Sequence, residues 1–167
     1  AIDAYKEALR ICELTNSLSS GDAALLLMNI GIANRTRGDV EGSLRVYAKA
    51  LKIRQDTDSL TTVEGAVLMK SIGAAKFEEQ DFEGAHEAYM ESRRIREAIG
   101  TLDTLDGAML LVSLGIAKKA KGDLHGALAI YAEARRIHES VGTAGSVAEA
   151  NLFKNKGIAL RALGDVT

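Results

Sequence analysis

All four tyrosines of this 167-residue chain stand on one arithmetic series, Tyr5, Tyr47, Tyr89 and Tyr131, each 42 residues from the next. A fixed internal period constrains the fold more than any other feature. Each repeat is one supersecondary unit that cannot bury its apolar face alone, so the units must stack. Other columns keep the same step: Ile11, Ile53, Ile95 and Ile137; Ala24, Ala66, Ala108 and Ala150; Leu26, Leu68, Leu110 and Leu152; Gly31, Gly73, Gly115 and Gly157; Ala33, Ala75, Ala117 and Ala159; Asp39, Asp81, Asp123 and Asp165. No insertion or deletion breaks a column. The chain has no proline and no tryptophan and is rich in Ala, Leu, Glu, Lys and Arg, which favours helix nearly everywhere.

Each unit reads as two helices, A and B. Helix A is expected to start behind the hydroxyl caps Ser20, Thr62, Thr104 and Ser146, with Asp22, Glu64 and Asp106 in the first turn, where the helix dipole favours an acid. The fourth unit carries Glu149 there, in capping-box spacing from Ser146. Helix A should end at the left-handed positions Gly38, Gly122 and Gly164, a column that Gln80 breaks. The aspartate that follows caps helix B, which stops near Asn16, Asp58, Gly100 and Gly142, all tolerant of a left-handed backbone. The B helices then begin near 1, 40, 82 and 124, and the A helices near 21, 63, 105 and 147. That makes eight helices and no strand: one domain over 1–167, four units in phase, starting in a helix B and ending in a helix A.

Side-chain sizes set the packing within a unit. Gly31 and its copies should sit on helix A where helix B comes close. Ser43, Ala85 and Ala127 lie one turn before the tyrosine, and Ala50, Ser92 and Ala134 one turn after it. The tyrosine is the large member of this small–large set.

Gly31, Ser43, Tyr47 and Ala50 resemble the small–small–aromatic–small spacing of tetratricopeptide repeats, as do Gly73, Ala85, Tyr89, Ser92 and Gly115, Ala127, Tyr131, Ala134. That family usually repeats every 34 or so residues. The extra residues here all fall between the second small position of helix B and the next helix A, lengthening both helices by about a turn. The longer unit is similar to the 42-residue repeats of kinesin light chains and nephrocystin-like proteins, and the resemblance covers the whole chain. Glu13, Gln55, Glu97 and Glu139 occupy the place of the family's usual proline, so helix B continues through it. The paired asparagines of kinesin light chains are reduced to Asn29 and Asn155, at Met28–Asn29, Lys70–Ser71, Val112–Ser113 and Lys154–Asn155. The resemblance implies an all-α, right-handed α-solenoid of antiparallel helix pairs.

Catalytic chemistry finds no constellation. There is no phosphate-cradling loop, and the glycines follow the repeat. His86, His125 and His138 stand in three different columns without metal-ligand spacing, so neither a metal nor a cofactor is expected. His138, in the column of Cys12, Arg54 and Arg96, reads as a solvated or capping residue near the end of helix B. Cys12 has no histidine beside it and reads as a half-buried thiol. The aspartates of the Asp39 column are better explained as four caps than as four active sites. Arg10, Lys52, Arg94 and Arg136 suit the C-terminal end of the helix dipole. A net charge of −2 and seven aromatic residues argue against a nucleic-acid surface, and no apolar run approaches membrane-spanning length. A single cysteine agrees with a reducing, cytoplasmic setting.

By the resemblance, helix A lines a concave groove that binds a partner peptide or helix. Its groove positions fall on Met28, Asn29, Ile32 and Arg35 in the first unit, and on Lys70, Ser71 and Phe77 in the second. Val112, Ser113 and Lys119 follow in the third, and Lys154, Asn155 and Arg161 in the fourth. The flanking positions are Leu25, Thr36, Val67, Ala74, Glu78, Met109, Ile116, Ala120, Asn151, Ile158 and Ala162. Five cations against one anion, Glu78, imply a preference for acidic peptides, weakened by salt. The expected function is a protein-interaction scaffold, not an enzyme. The alternative is a structural module stacking head to tail, the bare helix A near 147–164 receiving the Ala1, Tyr5 and Ala8 face of another copy. Lys156, in the column of Ile30, Ile72 and Leu114, opposes that stacking. A start inside helix B and an end just as another begins suggest a piece of a longer array.

Overall fold

The computed structural model describes residues 2–15 and 21–164, and among them are eight helices and no strand. The B helices are α1 (Ile2–Leu14), α3 (Val40–Asp56), α5 (Phe82–Ala98) and α7 (Leu124–Ser140). The A helices are α2 (Gly21–Thr36), α4 (Val63–Glu78), α6 (Leu105–Ala120) and α8 (Val147–Ala162). These bounds agree with the starts read from the repeat. The B helices run past Gln55, Glu97 and Glu139, as the missing proline allows.

The caps explain why the elements begin and end where they do. Asp39, Asp81 and Asp123 accept the amides of Gly42, Gly84 and Gly126 at 2.8 Å. Thr62 and Thr104 accept those of Gly65 and Gly107 at 3.2 Å. Ser20, Asp165 and Asn16 lie outside the described residues. At its C-terminus α4 closes in a Schellman arrangement, Gln80 N–H to Phe77 O and Asp81 N–H to Lys76 O. The same pair of bonds ends α2, α3, α5, α6 and α7. Gly38, Gly122 and Gly164 adopt positive φ, and so does Gln80, at 64°. The glutamine therefore breaks the column in sequence but not in conformation.

The fourth unit departs from the expected capping box. Ser146 accepts the Glu149 amide at 3.2 Å, but the Glu149 carboxylate accepts from Gly145 N–H at 2.6 Å, because Ser146 N–H already donates to Thr143 O. A loop change makes room for the acid. At Gly65 and Gly107 a Cβ would collide with the carbonyl oxygens of Leu60 and Leu102. In the last loop Gly145 turns left-handed, with φ 81°, and a side chain fits at 149.

Each A helix packs most closely on the B helix after it: α2 on α3, α4 on α5 and α6 on α7. Successive A helices also approach one another, α2 to α4, α4 to α6 and α6 to α8, whereas no two B helices do so at backbone level. Elements that crowd on one side and splay on the other curve toward the crowded side, so the A helices form the inner wall. Gly31, Gly73 and Gly115 meet the rings of Tyr47, Tyr89 and Tyr131 rather than the backbone of helix B. Those tyrosines are buried with Ser43, Ala50, Ala85, Ser92, Ala127 and Ala134 around them. A Cβ at Gly157 would meet nothing within 4 Å. No helix among the described residues is long and apolar enough to cross a membrane.

Candidate functional site

The expected groove residues fall into two groups on the inner wall. In the first two units they are largely taken up by the protein itself. Met28 is buried in the core with Leu27, Leu68 and Ile72, so it is not open to a ligand. Ile32 packs partly against the same cluster, and Asn29 is half-buried. Phe77 is half-buried against the second core cluster, its ring 5.1 Å from that of Phe82 at the start of α5. Arg35 pairs with Glu78 across α2 and α4 at 2.5 Å. The single anion of the expected groove thus neutralises one of its five cations. Burial pushes the Lys70 pKa down, Asp106 opposing the shift and Arg96 adding to it. Ser71 turns its hydroxyl back to Val67 O at 2.9 Å.

The third and fourth units are more open. Met109, Val112, Ser113 and Ile116 of α6, with Val147, Ala148, Asn151, Lys154 and Asn155 of α8, line a cleft of about 510 Å³, and His138 of α7 completes it. Four of the expected residues, Val112, Ser113, Lys154 and Asn155, therefore meet in one place. Lys154 donates to Asn151 Oδ1 at 3.3 Å and Asn155 Nδ2 to Asn151 O at 2.8 Å. Ser113 donates to Met109 O at 3.1 Å. Lys119, Lys154 and Arg161 have no carboxylate partner among the described residues. The uncompensated positive charge of the wall is gathered at this end.

His138 overturns its reading as a solvated residue: its exposure is 0%. The column faces inward, for Arg54 and Arg96 are buried too and donate to the loop carbonyls of Ser59 and Thr101 at 3.2 and 3.4 Å. The capping half of that reading agrees with these bonds. The signal was present in the sequence, since a polar column one residue after the buried Ile95 and Ile137 lies beside the core. Val147 and Ala148 were not expected in the site because they belong to the first turn of α8, about a turn before the groove positions that begin at Asn151 on the same helix.

The comparisons follow this architecture. The tetratricopeptide repeat model matches residues 24–57, which span α2 and α3. Among curated proteins none matches the chain in sequence. Among solved structures, BtubC (BKLC) from P. vanneervenii is similar at TM-score 0.78 and 23% identity, over 84% of this chain and 56% of its own. The chain thus spans little more than half the length of that protein. A kinesin light chain-like protein of P. anserina with nearly identical TPR-like repeats superposes at TM-score 0.79 and 12% identity, over 99% of this chain and 78% of its own. The N-terminal domain of stress-induced protein-1 from C. elegans gives TM-score 0.62 and 16% identity, over 83% of this chain and 95% of its own. Repeat period, caps, glycine–tyrosine contacts and these likenesses agree: the chain has the fold of tetratricopeptide repeats, with a unit of 42 residues, and its residues 24–57 match the tetratricopeptide repeat model.

Proposed function

We propose that the chain is a protein-interaction scaffold that holds an extended or helical segment of a partner against the wall of A helices. Tetratricopeptide repeats generally mediate contacts between proteins. The observation that carries the groove reading is the cleft between α6 and α8, where apolar walls and donors from two A helices converge without an acid among them. Lys119, Lys154 and Arg161 favour an acidic segment, and a field of this kind weakens with salt. The cytoplasm is the proposed compartment, resting on the single cysteine. The test is selection of peptides from a displayed library, followed by mapping on the labelled chain. Perturbed resonances on α4, α6 and α8, with binding lost in Lys154→Glu and Arg161→Glu but kept in the outer-face variant Arg94→Glu, support the reading. Perturbations confined to the B helices, or equal binding of acidic and basic versions of one peptide at low salt, refute it.

A second reading, head-to-tail stacking of copies, is favoured by the open face of α8, where a Cβ at Gly157 would meet nothing within 4 Å and Phe153 is 42% exposed. Its equivalents Leu27 and Leu111 are buried. Lys156 stands half-buried on the same face and weakens the contact. Sedimentation equilibrium decides it: a concentration-dependent mass that Phe153→Lys abolishes supports stacking, and a monomer at all concentrations excludes it.

A further inference from the structure

The contacts that join one unit to the next inside the array fall at fixed places of the period. On the apolar side, a Cβ at Gly115 would collide with the ring of Tyr131, and Leu111 shares a core with Ile137. On the outer side, Arg93 of α5 pairs with Glu97 of its own helix at 2.7 Å and with Glu133 of α7 at 3.0 Å. Arg93 and Glu133 are each 22% exposed, so the junction shelters this pair from water. On the inner wall, Asp106 of α6 lies close enough to favour the charge of Lys70 on α4.

Both halves of these contacts occur once more, apart from each other. One half is carried by α7 and α8: Gly157, Phe153, Arg135 and Lys154 stand in the columns of Gly115, Leu111, Arg93 and Lys70. Arg135 pairs with Glu139 at 2.8 Å, just as Arg93 does with Glu97, and its guanidinium stands 5.5 Å from the Phe153 ring. The counterpart of Glu133 is missing there. The other half is carried by α1 and α2: Tyr5, Ile11, Glu7 and Asp22 stand in the columns of Tyr131, Ile137, Glu133 and Asp106. Tyr5 is half-buried where the other three tyrosines are buried, and Ile11 is 50% exposed against 1% for Ile95 and 5% for Ile137. Glu7 and Asp22 are exposed.

We propose that a second copy of this chain docks its α1 and α2 on α8 so that the 42-residue step continues, its Glu7 joining Arg135 and its Asp22 joining Lys154. The proposal rests on the stacking reading and fixes its register. The second copy's Tyr5 then covers Gly157, and its Ile11 meets Phe153. Lys156 lines one cleft with Arg135 and Glu139, so the incoming Glu7 faces two cations and offsets part of the cost of burying the lysine. Charge also selects the orientation. A symmetric contact of α8 with α8 sets Arg135 and Lys156 against their own copies, and one of α1 with α1 does the same to Glu7. The contact is therefore heterologous and repeats from copy to copy, carrying the inner wall on from α8 to the next α2. Lys154 then serves the contact instead of a bound acidic segment, so the two uses compete.

The test is charge reversal followed by mixing, read by sedimentation equilibrium on the full chain with circular dichroism to confirm unchanged helicity. The parent chain is expected to gain mass with concentration beyond a dimer. Arg135→Glu alone and Glu7→Arg alone should each weaken association about tenfold, because every contact between identical copies then opposes like charges. An equal mixture of the two variants should recover it: Glu at 135 meets Arg at 7, and the alternate contact keeps the original pair. Asp22→Lys mixed with Lys154→Asp is the same test of the inner-wall pair. Association that either set of reversals leaves unchanged, or that mixing does not restore, overturns the register and leaves the stacking reading standing. A mass that stops at a dimer overturns the heterologous contact, and a monomer at all concentrations overturns register and stacking together.

Discussion

Replacing Gly73 and Gly157 by alanine makes one chemical change at two equivalent points of α4 and α8, and the surroundings give it opposite consequences. A Cβ at Gly73 would lie 2.7 Å from both Cδ1 and Cε1 of Tyr89, whereas ordinary carbon contacts are about 3.5–4.0 Å. The ring would have to move by about 1 Å, and it cannot do so freely, because Tyr89 is buried beside Ala85 and Ser92. Overpacking of this kind costs about 1–3 kcal/mol. Against it stands the helix-propensity gain of alanine over glycine, about 1 kcal/mol. At Gly157 nothing lies within 4 Å, so only the gain remains. The propensity contribution cancels between the two variants, and their difference in stability isolates the contact: about 1–3 kcal/mol, with Gly157→Ala the more stable. In a domain this long each kcal/mol moves Tm by about 2–4 °C. Urea and thermal unfolding followed by circular dichroism measure it. Adding Tyr89→Leu to each variant should relieve the penalty at 73 and leave 157 indifferent. Equal stabilisation by both alanines would refute the idea that the column is glycine because of the ring.

Gln80→Gly should raise stability by up to about 1 kcal/mol, since the left-handed conformation at φ 64° costs an L residue roughly that much; no change in the urea midpoint would count against it. Burial pushes the phenols of Tyr89 and Tyr131 up to about 12, so both should ionise later than free tyrosine in an ultraviolet titration. The unfolded chain loses these protons first. The contribution is therefore intact below pH 10 and falls by about 1.4 kcal/mol per pH unit per tyrosine between 10 and 12, visible as a dropping Tm. Asp123→Ala should cost about 1 kcal/mol near neutral pH through the lost cap. Lys118 and the Gly126 amide hold the Asp123 carboxyl below its usual range, so the gap to the parent chain should close as pH falls through that range, and a pH-independent gap would contradict the assignment.

The fold was legible because its determinants are local and repeated. A cap, a left-handed residue and a glycine facing a tyrosine each leave a mark in sequence, and the 42-residue period multiplies every mark. The proposed groove was legible only in part. Val112, Ser113, Lys154 and Asn155 do share a cleft, but Met28 is core and Arg35 is neutralised by Glu78 from the next A helix. Pairing between units depends on side-chain reach across helices, which a column cannot display. His138 was read as solvated for a related reason. Its character depends on what Arg54 and Arg96 do at the other junctions, and their burial is a property of packing between units.

The inner wall is knit by backbone-close A helices, while the outer helices α5 and α7 are joined by side chains, notably Arg93 to Glu133 at 3.0 Å, with Lys121 reaching Glu83 at 2.7 Å. Such a body bends like a hinged strip rather than a rod. Opening the outer side stretches only flexible charged side chains in partial contact with water, whereas closing or twisting the inner side compresses packed apolar groups. Its stiffness should therefore be unequal in the two directions and should soften with ionic strength more on the outer side, although the Arg35–Glu78 pair gives the inner wall one salt-sensitive tie of its own. The elasticity of an array of these units would then be tuned by a few exposed charges, independently of the glycine–tyrosine contacts that keep each unit folded.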